Sequence, residues 1–273
     1  MKQRVLTALA LIPPVLAALL CVSPWPIAVL GVLLLVVGTS ELQRLVNDKS
    51  VWLSAILWAI PLSFLWLNRY PALPETVGKP SLNAFIVFIV GVIGAVFAAL
   101  PREGGTSLRM VGLPGAWLVG PVYALFILHQ SSPHPVSGLW GFASPVLLAV
   151  VPLWGGDTAA IFAGKAFGKH PMAPSISPKK TWEGGTANLL ACVAVAVPLA
   201  HWIGYSVLVG AGCGLAAGIL GQAGDLFESW LKRQAGVKDS GVLLPGHGGV
   251  LDRIDSILFT APFVALIVAF APH

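Results

Sequence analysis

Long apolar runs broken by short polar joins recur along nearly the whole chain. A helix that crosses a bilayer needs roughly 20 mostly apolar residues. The runs predict about nine such helices: Val5 to Leu20, Ile27 to Leu42, Val51 to Leu67, Leu82 to Leu100, Met110 to Leu128, Phe142 to Phe162, Thr186 to Trp202, Val207 to Phe227 and Ile254 to Phe270. The expected fold class is therefore all-α, a polytopic transmembrane helical bundle. It forms one integral membrane domain over residues 1–273, with amino-terminal spans in 1–140 and catalytic spans and loops in 141–273. The charged start Met1-Lys2-Gln3-Arg4 has the look of a signal peptide, but Leu19 and Leu20 are too large for a cleavage site, so a retained first helix is expected.

Composition agrees with the pattern. Of the 273 residues 56% are hydrophobic and 10% charged, which excludes an ordinary soluble domain. The formal net charge of +5 does not point to nucleic acid, because the basic residues sit in joins between apolar runs and form no solvated basic face. An anionic lipid surface or an anionic substrate accounts for them. With the amino terminus in the cytoplasm, nine spans leave only Arg69 and Lys79 on the far side, as the positive-inside bias requires. The expected location is the cell inner membrane, with the amino terminus and the active site cytoplasmic. Cys21, Cys192 and Cys213 lie in apolar runs without CxxC spacing and read as small buried side chains.

More than half of the charged side chains fall between Asp157 and Asp255. Asp225, Glu228, Ser229 and Lys232 follow one another at i, i+3, i+4 and i+7, on one face of a helix. Two carboxylates followed by cations suit a divalent ion beside phosphate; an ordinary solvated Glu228–Lys232 pair is the plainer reading. Asp225 ends a long apolar run, where an acid is costly and marks a function. Downstream, Gly248 and Gly249 permit a tight turn after His247, and Asp252 and Asp255 share the next helix face at i and i+3. Mg²⁺ takes one or two protein carboxylates and keeps its other positions for water and substrate phosphate. Asp225 and Asp252 on facing helix ends would meet that need, with Asp255 close by.

Cations for an anionic substrate come from the preceding loop, Lys165 and the Ser177-Pro178-Lys179-Lys180 stretch, and from Lys232, Arg233, Lys238 and Arg253. Ser177 and Pro178 predict a helix start, and a bound anion would offset Lys179 and Lys180 at the positive end of its dipole. His247 is expected to contact phosphate or shape the turn.

The stretch Ser229 to Asp255, SWLKRQAGVKDSGVLLPGHGGVLDRID, resembles the signature of the phosphatidate cytidylyltransferases, also called CDP-diacylglycerol synthases. Asp157 to Gly184 is similar to that family's other shared region. The resemblance implies conversion of CTP and phosphatidate to CDP-diacylglycerol and pyrophosphate for phospholipid biosynthesis. It also implies Mg²⁺, a monovalent cation such as K⁺ as a further candidate, and a homodimer in an all-helical membrane fold. Onto matching positions it carries Asp225, Asp252 and Asp255 as metal-site carboxylates. Lys232 and Arg253 join Asp225 and Asp252 in the catalytic set, and Lys165, Lys179, Lys180, Arg233, Lys238, His247, Gly248 and Gly249 are expected to bind substrate. A CTP-dependent polyprenol or phytol kinase and an ion-coupled transporter are the rival readings. Transporters place polar sites near the bilayer midplane, whereas these charges cluster at one face.

Overall fold

A computed structural model describes residues 12–21, 23–47, 51–52, 55–56, 59, 115–131, 144–244, 246 and 248–271. Residues 12–20 are helical. Helix α1 spans Pro24–Val46, and a π-helical turn, Gly115–Val119, leads into α2, Gly120–Gln130. Helix α3 spans Leu147–Phe167, α4 Trp182–Ile203, α5 Val207–Gln234 and α6 Leu251–Ala269. A small antiparallel hairpin, β1 (Pro171–Ala173) and β2 (Ser177–Thr181), joins α3 to α4. Four of these helices, α1, α3, α4 and α5, are long and apolar enough to cross a membrane. Helix α6 is excluded from that set by Asp252, Arg253 and Asp255 in its first turns. The protein is a multi-pass membrane protein, helical in its described residues apart from this hairpin. The expected span Leu82 to Leu100, most of Val51 to Leu67 and the first residues of three others, Val5 to Leu20, Met110 to Leu128 and Phe142 to Phe162, lie outside the described residues.

The hairpin corrects one expectation. Ser177 and Pro178 do not start a helix: Ser177 pairs with Ala173 and Thr181 with Pro171 across the two strands. Proline, which has no N–H to donate, is tolerated on such an edge strand. The cap falls four residues later, where the Thr181 hydroxyl accepts a hydrogen bond from Gly184 N at 3.2 Å and opens α4. Gly204, at φ 106°, ends α4, and Ser206 caps α5 through Val209 N at 3.4 Å.

Helix α5 is packed on both sides. Gly210, Gly214 and Gly218 repeat at i+4, and a Cβ built on them would lie 2.8 Å from Val197 Cα, 2.5 Å from Val193 Cα and 2.7 Å from Leu189 Cα of α4. The two backbones touch along this stripe, as small residues allow between membrane helices. Gly224 does the same for α6, since its Cβ would stand 2.5 Å from the Asp255 carbonyl oxygen. That approach sets Asp225 and Asp255 at one level. We expect Gly214→Ala to cost about 1–3 kcal/mol through overpacking, whereas Gly212→Ala, whose nearest neighbour is Ile267 at 3.6 Å, should be nearly neutral. Thermal unfolding in detergent compares them, and equal shifts would contradict the packing account.

The main core gathers residues from α1 through α6, among them Ile27, Tyr123, Leu148, Ile203, Cys213 and Val264. Cys192 and Cys213 are buried and Cys21 is half-buried; all three are free thiols. A second cluster, with Leu42, Leu45, Trp117, Leu118, Leu231, Leu251 and Leu258, closes the end where α1 and α5 finish and α6 begins. The polar site stands at that end.

Candidate active site

Helix α5 continues seven residues beyond the apolar run, to Gln234, so the polar stripe from Asp225 to Arg233 stays helical. It faces the first turns of α6 across a cavity of about 500 Å³ whose lining includes Asp157, Asp225, Glu228, Lys232, Asp252 and Asp255. A second cavity, of about 690 Å³, shares Lys238, Asp239 and Arg253 with the first and is bounded by Gly241, Leu244 and Gly248.

Asp225 keeps 39% of its side chain exposed and holds Lys180 of β2, with Nζ 2.6 Å from Oδ2. Ser229 Oγ lies 3.4 Å from Oδ1. On β2 side chains alternate: Lys180 turns inward to this pair, and Lys179 points to the exterior. Asp157 of α3 accepts from Asn188 Nδ2 at 3.2 Å. Asp157 and Asp255 both lie within electrostatic reach of Asp225 and Lys180. Acids from three helices thus stand in electrostatic reach of Lys180, and Asp225 holds it directly.

The other cation, Lys232, is enclosed. Its Nζ lies 2.5 Å from Glu228 Oε2 and 2.5 Å from Asp252 Oδ1. The Glu228 side chain is only 1% exposed. This corrects the solvated reading of the pair, because i, i+4 spacing reveals who can meet but not whether a third element covers them. Glu228 Oε1 is buried with no hydrogen-bond partner among the described residues.

Both oxygens of Asp252 accept hydrogen bonds. Besides Lys232 on Oδ1, its Oδ2 lies 2.9 Å from Ser240 N, 2.9 Å from Ser240 Oγ and 2.8 Å from Gly249 N. A carboxylate offers about four acceptor positions, two on each oxygen; three of these donors fall on Oδ2 and one on Oδ1, so one position on Oδ1 stays open. Asp225 and Asp252, expected to share one ion, line one cavity, and each sits against its own lysine, Lys180 and Lys232. Gly248, at φ 83°, tolerates the turn that brings the loop to Asp252, and a Cβ there would be 2.8 Å from Oδ2.

Arg233 is exposed and donates from Nη1 to Val237 O at 2.9 Å, which turns its head toward the loop. Lys238 and Arg253 are exposed where the two cavities meet. Lys165, in the last turn of α3, and Lys179 line neither cavity. His247 lies outside the described residues. Glu41 of α1 was not anticipated. It is 2% exposed and contacts Ser240 and the start of α6. An acid inside an expected span, here Ile27 to Leu42, was the available signal, as for Asp225 in Val207 to Phe227.

Among the described residues, no three His, Cys, Asp or Glu side chains are arranged to hold a metal ion by themselves. What the fold does present is hard carboxylate oxygens facing a cavity, one of them unpartnered, beside cations at the mouth. Such a site belongs to an integral membrane enzyme that handles anionic substrates.

The chain belongs to the cytidylyltransferase family, whose model matches residues 2–271. It is 34% identical over 275 residues to the phosphatidate cytidylyltransferase of Pseudomonas aeruginosa, covering 98% of this chain and 97% of that one. The enzymes of the same name from Haemophilus influenzae and Bacillus subtilis are each 30% identical, over 99% and 98% of this chain and the same shares of their own. The protein is a nucleotidyltransferase.

Proposed function

We propose that this protein transfers CMP from CTP to phosphatidate, giving CDP-diacylglycerol and pyrophosphate. The observation that carries the reading is the meeting of the α5 end and the α6 start around one charged cavity, in a chain matched along almost its whole length to phosphatidate cytidylyltransferases. A phosphate oxygen of phosphatidate attacks the α-phosphorus of CTP, and the bond from that phosphorus to the β-phosphate bridging oxygen breaks in line, releasing pyrophosphate. The second pKa of a phosphate monoester is about 6, so the nucleophile is already largely ionised and needs no general base. Two polyanions must meet, so the chain's work is neutralisation and positioning. Arg233, Lys238 and Arg253 line the cavity and would neutralise the phosphates, together with Lys180, which pairs with Asp225 of its wall.

Mg²⁺, with K⁺ as a further candidate, would supply neutralisation of the entering and leaving oxygens. Asp225 and Asp255, with Asp157 beside them, would hold it. The unpartnered, buried Glu228 Oε1 fits a site that gains a cation when substrate arrives, and so few fixed ligands suit an ion that keeps positions for water and phosphate. Asp252 would act by fixing Lys232 and the loop.

The membrane arrangement proposed with this reading is about nine spans in a bacterial inner membrane, with the amino terminus and the site cytoplasmic and the chain paired as a homodimer. The one-sided distribution of Lys and Arg and the bacterial relatives support location and orientation; the family resemblance supports the dimer. Detergent-solubilised protein given CTP, phosphatidate and Mg²⁺ should yield CDP-diacylglycerol by lipid mass spectrometry. A phosphorylated lipid alcohol made from CTP would indicate the kinase reading, and solute uptake into vesicles without lipid product would indicate a transporter.

A further inference from the structure

Glu41 sits near the carboxyl end of α1, at the close of an apolar helix, and is buried. Its Oε1 accepts from Val250 N at 3.0 Å and its Oε2 from Leu251 N at 2.8 Å. These amides open α6, where the first N–H groups have no partner within the helix. Val250, at the cap position, offers no side-chain acceptor. The cap is therefore supplied by a carboxylate about two hundred residues away in sequence, and its negative charge suits the helix amino terminus.

The same carboxylate reaches the loop before α6. Ser240 Oγ lies 3.1 Å from Glu41 Oε2 and 2.9 Å from Asp252 Oδ2. A hydroxyl has one proton to donate, so Ser240 shares it between the two acids and links them. A Cβ on Gly249 would fall 2.6 Å from Glu41 Oε2, and one on Gly241 would also collide with this carboxylate. The loop backbone is folded directly onto Glu41 from both sides.

We infer that Glu41 is a positioning residue for CMP transfer: through Ser240 and the first amides of α6 it holds Ser240, Gly241 and residues 249–251 in the conformation that keeps Asp252 on Lys232 and sets Lys238 and Arg253 at the cavity mouth. The inference rests on the proposed function for its catalytic consequence and on the geometry alone for its structural one. It ties the amino-terminal spans to the chemistry of the carboxyl-terminal ones.

The test uses full-length protein in detergent with two readouts, steady-state kinetics with CTP and phosphatidate and hydrogen exchange by mass spectrometry. Glu41→Gln keeps the size of the side chain but turns an amide donor toward backbone donors. Its kcat should fall by about tenfold or more, since small misplacements of reacting groups are costly. Exchange should speed up in peptides covering 240–252 and stay unchanged in α4 and in the first half of α5. Ser240→Ala, which removes only the shared hydroxyl, should move both readouts the same way by less, and it decides the matter should Glu41→Gln fail to fold. Wild-type kcat in a folded variant, or exchange that rises evenly through all the helices, overturns the inference. Wild-type protein that makes no CDP-diacylglycerol would instead defeat the proposed function, and the exchange data would still report whether Glu41 holds the loop.

Discussion

Asp225→Asn should lower kcat by at least about a hundredfold, roughly 2.7 kcal/mol of transition-state stabilisation, while leaving the thermal transition close to wild type. The stability expectation follows from position: Asp225 is 39% exposed, and its ion pair with Lys180 joins the helix to a two-stranded hairpin outside the apolar core. An ion pair exposed to that degree contributes on the order of 1 kcal/mol or less. The catalytic expectation follows from the company Asp225 keeps, with Asp157, Asp255 and Lys180 in electrostatic reach and a cavity in front of it. Residual activity in Asp225→Asn should need more Mg²⁺ for half its maximal rate. Lys180→Ala in the same background should add little, because two residues acting as one unit lose their effect together. A normal rate with normal Mg²⁺ demand in Asp225→Asn would remove this carboxylate from the reaction.

Lys232→Met should be the most destabilising single change at the site. The lysine lies between two carboxylates, Glu228 and Asp252, whose side chains are 1% and 6% exposed. Removing a cation from such an arrangement leaves uncompensated buried charge, a loss of about 3–5 kcal/mol. For a chain of this size that corresponds to a fall in Tm on the order of 10 °C. Part of the loss should return in the double variant Glu228→Gln/Lys232→Met, where one of the stranded charges is gone. Spacing within α5 alone would have valued the Glu228–Lys232 pair at about 0.3–0.5 kcal/mol. Scanning calorimetry in detergent separates the two estimates, and a shift below about 2 °C would return the pair to the solvated class.

The sequence was legible where one helix carries the whole message. Asp225 declared itself by ending an apolar run, and the stripe through Lys232 follows from helical spacing alone; both stand on α5 as expected. The spacing of the glycines of α5 does not say that Gly210, Gly214 and Gly218 meet α4 while Gly224 meets α6. What stayed hidden depends on contacts between distant segments. Glu41 meets partners 199 to 210 residues further along the chain, and no local pattern encodes that. The burial of Glu228 and Lys232 likewise comes from Asp252 on another helix. At Ser177 the local signal misled: Ser-Pro suits a helix start, but pairing with Pro171–Ala173 wins, and the true cap is Thr181.

The central claim, CMP transfer to phosphatidate, is tested most directly by following the phosphorus of CTP into lipid. Purified protein would be given phosphatidate, Mg²⁺ and CTP labelled at either the α- or the γ-phosphate. The account predicts label in the lipid fraction only from the α-position, with an equal amount of pyrophosphate released. Label entering lipid from the γ-position, or none entering from the α-position with active, folded protein, would contradict it.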